Sequence, residues 1–250
     1  MTKFVAAFKN RLKTVLQNNG WYLRKSNGLS YGVDLFTDIS RLGVTNMNYI
    51  FDVGAHKGET AVTLSMLYPE SAIYAFEPVI ENYAVLESST QKCKNVSCLN
   101  LAVGETCESQ IIELRSDSQT HSLKHVLSAG DANLLGYKSV EVTTVDSMML
   151  EKLIERISLL KIDTEGYELS VLKGAKDALS EGKIDFIYLE ASVLPSDSAH
   201  SSLFEIRDFL DKFGYSLTAI YEQVVWKSPI RLAYFNALFS RDTISKPGGT

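Results

Sequence analysis

The stretch that decides the fold is Tyr49-Ile50-Phe51-Asp52-Val53-Gly54-Ala55-His56-Lys57-Gly58. An apolar run in this stretch ends at Asp52, and the two glycines, Gly54 and Gly58, mark the loop that follows. A helical pattern comes next, and then a second apolar run that ends in Glu77. This order of strand, glycine loop, helix, strand and terminal carboxylate predicts half of a nucleoside-binding site.

Apolar runs alternate with helical patterns along most of the remaining chain. We predict strands at residues 49–53, 72–76, 96–103, 158–162 and 185–190, and helices at residues 33–42, 59–68, 80–92, 167–180 and 202–213. Repeated strand–helix units predict an α/β fold, with a mostly parallel sheet that has helices on both faces. Two late strands, near residues 215–221 and 233–239, have no helix between them, so we expect an antiparallel hairpin at one edge.

Two regions depart from this alternation and define the expected domain organisation. Residues 1–48 form an N-terminal helical extension, and the α/β domain occupies residues 49–245. Within the domain, added strands at residues 111–114 and 140–145 flank a polar segment that contains His121, and together they form a β-rich insertion at about residues 108–145. We expect this insertion to pass over the edge of the sheet where the strands end.

Composition and charge exclude several classes of protein. The 250 residues are 45% hydrophobic and 22% charged, which is typical of a globular domain. A net charge of −5 gives no support for a nucleic-acid partner, and no run of apolar residues is long enough to form a transmembrane segment. The three cysteines lack the spacing of a zinc site, so we expect reduced thiols and a cytoplasmic location.

The first 25 residues carry only positive charges, with apolar residues between them at near-helical spacing. Such a helix can lie on an anionic membrane surface, which would give peripheral membrane contact through residues 1–25. The alternative, which we favour, is a helix that packs its apolar face on the core and leaves its lysines in solvent. The charges interrupt the apolar stretch, so a secretory signal is not expected.

The glycine loop and Glu77 are compatible with two nucleoside cofactors. Gly54 and Gly58 let the backbone approach a ligand, and the helix that follows offers unpaired N–H groups. A dinucleotide usually requires G-x-G-x-x-G, whereas position 56 is histidine in this chain. S-adenosylmethionine suits the loop better, because its amino-acid end can meet the glycines while its ribose meets Glu77.

Several motifs resemble those of a known family. Asp52-Val53-Gly54-Ala55-His56-Lys57-Gly58 and Phe76-Glu77-Pro78 resemble S-adenosylmethionine-dependent methyltransferases of the class I fold. Further segments are similar to the FkbM family, which is associated with O-methylation; they are residues 101–104, 143–146, 160–168 and 171–175. The resemblance covers about residues 49–240, and Lys161-Ile162-Asp163-Thr164-Glu165-Gly166-Tyr167-Glu168 is its most specific part.

The resemblance implies a Rossmann-like sheet of seven strands, mostly parallel, whose last strand is antiparallel. It implies S-adenosylmethionine as the cofactor, with its methionine part held by Asp52, Gly54, His56 and Gly58. Glu77 would hold the ribose, residues from Asn100 to Val103, which include Ala102, would flank the adenine, and Asp163 would reach the methionine end. Val53, Ala55 and Pro78 are expected as further cofactor contacts. The family usually has asparagine at position 56, and histidine can also hydrogen-bond to the cofactor.

Candidates for the general base lie where the methyl group is expected. Asp163 and Glu165 come first, although Asp163 can instead bind the cofactor amine and Glu165 can cap the next helix. His121 can act as a base or contact the acceptor, although a surface histidine is more common. Asp163, Glu165 and Glu190 can also converge on Mg²⁺, but we favour separate carboxylates and expect no metal site.

The sequence therefore predicts an S-adenosylmethionine-dependent O-methyltransferase that acts on a hydroxyl of a small molecule or glycan. Two alternatives stay open: an NAD-dependent oxidoreductase or epimerase, and a methyltransferase-like fold that serves as a non-catalytic binding module. The missing glycine at position 56 disfavours the first of these. The intact glycine loop, Glu77 and Asp163 argue against a degenerate site.

Overall fold

A computed structural model describes residues 28–115, 134–197 and 199–241 of the chain. Its helices are α1 (Leu35–Arg41), α2 (Glu59–Leu67), α3 (Ile80–Thr90), α4 (Val145–Glu151), α5 (Glu168–Lys173), α6 (Lys176–Ser180) and α7 (Leu203–Leu210), and a 3-10 turn follows α7 at Asp211–Phe213. Its strands are β1 (Tyr49–Val53), β2 (Ala72–Phe76), β3 (Val96–Leu99), β4 (Ala102–Val103), β5 (Glu108–Arg115), β6 (Leu134–Thr143), β7 (Ile157–Ile162), β8 (Ile184–Ser192), β9 (Tyr215–Lys227) and β10 (Ile230–Arg241).

Seven of these strands form one sheet, in the order β3-β2-β1-β7-β8-β10-β9. The first five strands are parallel, and β10 is antiparallel to both of its neighbours, β8 and β9. The predicted α/β fold, with its mostly parallel sheet and terminal hairpin, is confirmed. Because parallel strands end at the same edge of a sheet, the side chains that follow β1, β2, β7 and β8 meet there.

Helices cover both faces of the sheet, so the central strands are buried on each side. Phe51 belongs to a core that includes residues of α4 to α7, whereas its neighbour Ile50 belongs to a core with α1 and α2. Burial on both faces explains why the strand sequences are nearly continuous apolar runs. Asp52 in β1 and Lys161 in β7 are the charged exceptions in these two strands, and they pair with each other across the sheet.

The predicted third strand at residues 96–103 is divided between two sheets. Its first part, β3, pairs with β2, whereas its end, β4, pairs with β6 in a three-stranded sheet of order β4-β6-β5. Asn100 lies at the division, where its Nδ2 donates to the carbonyl oxygens of Glu77 (2.8 Å) and Pro78 (3.0 Å). The apolar run could not show this division, since both parts are extended.

Two predictions need correction: one concerns where a helix begins, and the other concerns whether a helix is continuous. Val145, predicted as the end of a strand, begins helix α4, because the Thr144 side chain accepts a backbone hydrogen bond (3.0 Å) and caps the helix. The helix predicted over residues 167–180 is divided into α5 and α6 at Gly174. The carbonyl oxygen of this glycine accepts a hydrogen bond from Asp146 N (3.1 Å), so it does not continue the helix.

Three features of the sequence analysis lie outside the described residues: the basic N-terminal segment, His121, and the polar centre of the insertion. The flanking strands of the insertion, β5 and β6, form an antiparallel pair. In the three described ranges, no helix combines the length and the apolar character that are needed to cross a bilayer.

Candidate functional site

A cleft of about 520 Å³ opens at the carboxyl ends of the parallel strands, and its volume lies in the range of small-molecule sites. Many of the predicted site residues line it: Val53, Gly54, Ala55, His56, Glu77, Pro78, Ala102, Val103, Asp163 and Glu165. Asp52, Gly58 and Asn100 are not among its lining residues, and His121 is outside the described residues. The tertiary structure therefore brings most of the predicted set to one place.

The glycine loop after β1 folds back on the end of β2. Gly54 N and Ala55 N both donate to the Phe76 carbonyl oxygen, at 3.0 and 2.9 Å. Gly54 has a φ of 75°, and a Cβ atom there would lie 1.8 Å from the Asp163 carbonyl oxygen. Glycine is therefore required at position 54, where the loops after β1 and β7 touch.

Glu77, which follows β2, is the carboxylate of this half-site. It is buried, and its two oxygens accept hydrogen bonds from His56 N (3.0 Å) and Val79 N (2.9 Å). Burial raises the pKa of Glu77, while these backbone hydrogen bonds and the Asn82 side chain act in the opposite direction. The two backbone hydrogen bonds leave lone pairs on the carboxylate oxygens, so Glu77 can still accept hydrogen bonds from a ligand.

One part of the cleft is an apolar slot. Its walls are formed by Val79, Leu101, Ala102, Val103 and Ile112. The small second sheet supplies Ala102, Val103 and Ile112, which are buried. The slot suits a flat ring of low polarity, whereas the Glu77 side of the same cleft suits hydroxyl groups.

The buried ammonium group of Lys161 joins two carboxylates, one in β1 and one directly after β7. Lys161 Nζ lies 3.0 Å from Asp52 Oδ1 and 3.4 Å from Asp163 Oδ2, and it donates to the Gly54 carbonyl oxygen at 3.2 Å. Burial alone would lower the pKa of Lys161, but the charges of Asp52 and Asp163 raise it above its ordinary value. Asp52 is fully buried, and no described residue gives its oxygens a hydrogen bond of ordinary geometry. The ion pair with Lys161 is therefore what compensates the charge of Asp52.

Glu168 organises the loop that follows Asp163. Its Oε1 accepts hydrogen bonds from Thr164 N (3.0 Å), Thr164 Oγ1 (3.1 Å) and Gly166 N (3.0 Å). Its Oε2 accepts a hydrogen bond from Ser201 Oγ at 2.6 Å, and the side chain is fully buried. Glu168 therefore accepts hydrogen bonds from the backbone N–H groups of the loop before α5. Its hydrogen bond with Ser201 also joins this loop to the segment after β8.

Removing the Glu168 carboxylate is expected to loosen both segments. Glu168→Ala deprives several donors of their acceptor, so we expect the free energy of unfolding to fall by about 2–3 kcal/mol. Glu168→Gln keeps the oxygen that accepts three of the hydrogen bonds, and it should lose less than about 1 kcal/mol. Urea titrations of both variants and the parent protein test this, and equal losses for alanine and glutamine would contradict it.

A second polar cluster lies at the end of β8, on the wall of the cleft. His200 Nε2 lies 3.3 Å from Glu190 Oε2, and His200 Nδ1 lies 2.9 Å from Asp197 Oδ2. The His200 ring stacks on the Tyr234 ring, with 4.2 Å between centroids and 17° between planes. The imidazole is therefore held by two carboxylates and one aromatic face.

The convergence of Asp163, Glu165 and Glu190, which the sequence analysis considered but did not favour, is not what the structure has. Side-chain oxygen or nitrogen atoms of Glu165, Glu190 and His200 lie within 4.8 Å of one another, whereas Asp163 pairs with Lys161. Acidic groups often cluster without an ion, so this proximity alone does not define a metal site.

The raised pKa of Glu190 predicts a pH dependence of stability. Burial and the charge of Asp163 raise it from an ordinary 4.5 to about 7, although His200 acts in the opposite direction. Between these values the folded protein binds more protons than the unfolded chain. The free energy of unfolding should therefore fall by about 3 kcal/mol as the pH rises through this range, and stay level above it.

Thermal unfolding of the parent protein and Glu190→Gln across this pH range checks the prediction. The charged or titratable groups that face Glu190 are Asp163, Lys161, Glu165, Glu168, His200 and Tyr234, and the glutamine variant retains all of them. We expect the decline to be much smaller in the variant, since it lacks the titrating carboxyl. An equal decline in both proteins would assign the pH dependence to another group.

A second cavity of about 360 Å³ adjoins the cleft. Lys161 and Asp163 line both spaces. Other polar walls of the second cavity are Tyr188, Glu222 and Asn236, and the Asn236 side chain donates to Glu222 Oε2. The two spaces together can hold a second ligand beside Asp163.

The sequence analysis did not single out Lys161, Glu168, Asp197 or His200 as site residues. A signal existed for Lys161, because a charge inside an apolar strand is costly unless it is paired. Glu168 lies in the most specific motif of the chain, but its hydrogen bonds could not be inferred from it. Asp197 and His200 stand in a polar loop, and only the tertiary structure brings them to Glu190.

Comparison with known proteins gives a family and a distant curated relative. A family model described as "Methyltransferase FkbM domain" matches residues 52–217. "Hexuronic acid methyltransferase AglP" of Haloferax volcanii is 24% identical over 148 residues, which are 59% of this chain and 58% of that protein. The match thus spans little more than half the length of that relative.

Two solved structures are among those similar to this chain. Precorrin-6y C5,15-methyltransferase of Geobacter metallireducens is 14% identical, with 81% of this chain and 85% of that chain covered and a TM-score of 0.44. TrmK of M. capricolum, in complex with S-adenosyl-homocysteine, is 10% identical, with 86% and 70% covered and a TM-score of 0.48. At such identities, neither likeness bears on the substrate of this chain.

Proposed function

Because this chain belongs to the FkbM methyltransferase family, we propose that it is an S-adenosylmethionine-dependent O-methyltransferase acting on a hydroxyl of a small molecule or glycan. In this proposal the catalytic domain spans about residues 49–245, and the insertion at about 108–145 is part of it. Family membership favours methyl transfer over the oxidoreductase or epimerase alternative.

The main support for this proposal is that three kinds of binding surface lie in one cleft. A glycine loop, the buried Glu77 carboxylate and an apolar slot correspond to the amino-acid, ribose and adenine parts of S-adenosylmethionine. A dinucleotide site needs a glycine where this chain has His56, because its backbone must approach the pyrophosphate. The residues present therefore fit S-adenosylmethionine better than NAD⁺.

In this proposal each wall of the cleft has one role toward the cofactor. The Gly54 loop and Asp163 hold the methionine part, Glu77 accepts hydrogen bonds from the ribose hydroxyls, and Ala102 and Val103 flank the adenine. When bound, S-adenosylmethionine supplies a methyl group on a sulfonium that is already reactive. The protein then contributes mainly orientation of the acceptor oxygen, which can lower a barrier by roughly 7–11 kcal/mol.

The second cavity supports a hydroxylated acceptor. Tyr188, Glu222 and Asn236 offer hydrogen-bonding groups to sugar hydroxyls there, next to Asp163. The curated relative is named a hexuronic acid methyltransferase, which supports a sugar as the acceptor class. We therefore propose that the acceptor enters through this second space.

Calorimetric titration with S-adenosylmethionine, S-adenosylhomocysteine and NAD⁺, each with and without Mg²⁺, tests the cofactor assignment. We expect micromolar binding of the first two ligands, no binding of NAD⁺, and no requirement for Mg²⁺. Binding of NAD⁺ alone would overturn the proposal. A screen of hydroxylated sugars, including hexuronic acids, for conversion of S-adenosylmethionine to S-adenosylhomocysteine then tests the acceptor class.

A further inference from the structure

The loop after β8 carries a histidine whose surroundings suit proton transfer. Resting on the proposed function, we propose that His200 is the general base that takes the proton of the acceptor hydroxyl, with Asp197 as its positioning residue. Neither residue is among the proposed cofactor contacts, so each can be changed while those contacts are kept.

Asp197 fixes the orientation and the tautomer of His200. Its Oδ1 accepts hydrogen bonds from Ala199 N (2.9 Å) and His200 N (3.2 Å), which hold the carboxylate in the loop. Burial alone would raise the pKa of Asp197, but its hydrogen bonds, first that with His200, lower it, so the group is ionised at neutral pH. Oδ2 lies 2.9 Å from His200 Nδ1, and an ionised carboxylate can only accept. Nδ1 therefore carries a proton, and in the neutral imidazole Nε2 carries the lone pair.

The lone pair of Nε2 is held at the cleft. His200 lines the cleft, its side chain is 13% exposed, and stacking on Tyr234 fixes the plane of the ring. The exposed part of the side chain lets a ligand hydroxyl approach, while burial of the rest limits competition from water. An imidazole held in a fixed plane at the wall of a cleft is a common form of general base.

Glu190 supports the base from the other side. Its Oε2 lies 3.3 Å from His200 Nε2, so the two groups share a proton when one is bound. Because burial raises the pKa of Glu190 to about 7, this carboxyl ionises near neutral pH, and it can then stabilise a proton that His200 accepts. The groups that face the His200–Glu190 pair are Asp197, Glu165, Tyr234, Asp163, Lys161 and Glu168.

The proposed step conserves atoms and electron pairs. The O–H bond of the acceptor breaks, and the proton bonds to His200 Nε2. The oxygen forms a bond to the methyl carbon, and the carbon–sulfur bond breaks with its electron pair left on sulfur. The resulting imidazolium lies between the carboxylates of Asp197 and Glu190, which stabilise it until the proton passes to water.

Asp163 and Glu165, the candidates from sequence, are less suited to this role. Asp163 Oδ2 lies 3.4 Å from Lys161 Nζ, so this carboxylate is already engaged in an ion pair. Glu165 lies within 4.8 Å of the His200–Glu190 pair, so it can orient an acceptor hydroxyl towards the pair. His200 is the candidate whose lone pair is fixed by a second side chain.

The first test determines the tautomer and needs no acceptor. Protein labelled with ¹⁵N in its four histidines is studied by NMR at about pH 8, where the signal that disappears in His200→Gln is that of His200. We expect the Nδ1–H tautomer. Asp197→Asn should shift His200 towards Nε2–H, because the new amide can donate to Nδ1. Asp208→Asn, a change on the exposed side of α7, is the matched control and should leave the signal unchanged.

The second test separates proton transfer from cofactor binding. Calorimetry should give affinities for S-adenosylhomocysteine within about threefold of the parent protein in His200→Gln and Asp197→Asn. With a sugar acceptor found in the screen, kcat should fall by about 10²–10⁴-fold in His200→Gln, while KM for S-adenosylmethionine stays similar. The rise of kcat with pH near neutrality should disappear in that variant.

Several outcomes would overturn the proposal. They are an Nε2–H tautomer in the parent protein, an unchanged spectrum in Asp197→Asn, and turnover of His200→Gln within about threefold of the parent. A shift of the His200 signal on addition of Mg²⁺ or Zn²⁺, together with metal-dependent turnover, would make the imidazole a ligand and also overturn it. Failure of the parent protein to bind S-adenosylmethionine would instead reject the proposed function, so the two failures are distinguishable.

Discussion

Lys161→Met is expected to lower the free energy of unfolding by about 3–5 kcal/mol, because it leaves a buried carboxylate without its partner. The ammonium lies 3.0 Å from Asp52 Oδ1, and Asp52 is fully buried. Methionine has a similar length, so the loss reflects charge rather than space. For a chain of this size, the change corresponds to a Tm lower by roughly 6–20 °C, which calorimetry of thermal unfolding can measure.

Lys176→Met is the matched control for this prediction. Its ammonium is half exposed and lies 3.6 Å from Glu105, so its loss should cost under about 1 kcal/mol. The double variant Asp52→Asn/Lys161→Met removes both charges, and it should be more stable than Lys161→Met alone. If Lys161→Met and Lys176→Met lose the same stability, the buried ion pair does not compensate Asp52 as argued.

Glu77→Ala is expected to remove measurable binding of S-adenosylmethionine while the protein stays folded. Each hydrogen bond from a ribose hydroxyl to a charged group contributes about 1.5–3 kcal/mol. The loss of two such bonds weakens affinity by about 10²–10⁴-fold. Calorimetric titration of the variant beside the parent protein measures the difference directly.

Two controls show whether a loss of binding in Glu77→Ala comes from the site rather than from unfolding. Glu77 also accepts hydrogen bonds from His56 N and Val79 N, so a circular dichroism spectrum must show that Glu77→Ala keeps its secondary structure. Glu70→Ala changes an exposed glutamate outside the cleft and should bind the cofactor normally. An affinity in folded Glu77→Ala equal to that of the parent would place the ribose elsewhere.

Lys161→Met and Glu77→Ala test different roles for two carboxylates that look alike in the sequence. Asp52 and Glu77 both stand at the end of a strand, next to the same glycine loop. Asp52 is not among the lining residues of the cleft and pairs with Lys161, whereas Glu77 lines the cleft and keeps lone pairs for a ligand. One carboxylate therefore serves stability, and the other serves the proposed cofactor contact.

Local sequence patterns were sufficient to predict much of the fold. Strands β1 and β2 have the bounds predicted from their apolar runs, and the last two strands form the expected antiparallel hairpin. Position 54 requires glycine, which the loop pattern also predicted. Such features depend on residues that are near each other in the chain, so periodicity and turn chemistry reveal them.

Other features depended on contacts that local patterns do not contain. The run at residues 96–103 looks like one strand, but its end pairs with β6 rather than β2. The first turn of α4 is also fixed from outside, because Asp146 N donates to the Gly174 carbonyl oxygen at 3.1 Å, whereas the β-rich run had suggested a continued strand. In both cases a contact with another element helps to select the conformation.

By itself, the sequence determined the order of strands and helices, the glycine loop and the likeness to the FkbM family. Each of these depends on short runs of neighbouring residues. Only the tertiary structure decided which strand-end carboxylate faces the cleft, and that Lys161 lies between Asp52 and Asp163. It also brought His200 to Glu190. The physical reason is that burial and charge pairing depend on packing between distant segments, which no local pattern records.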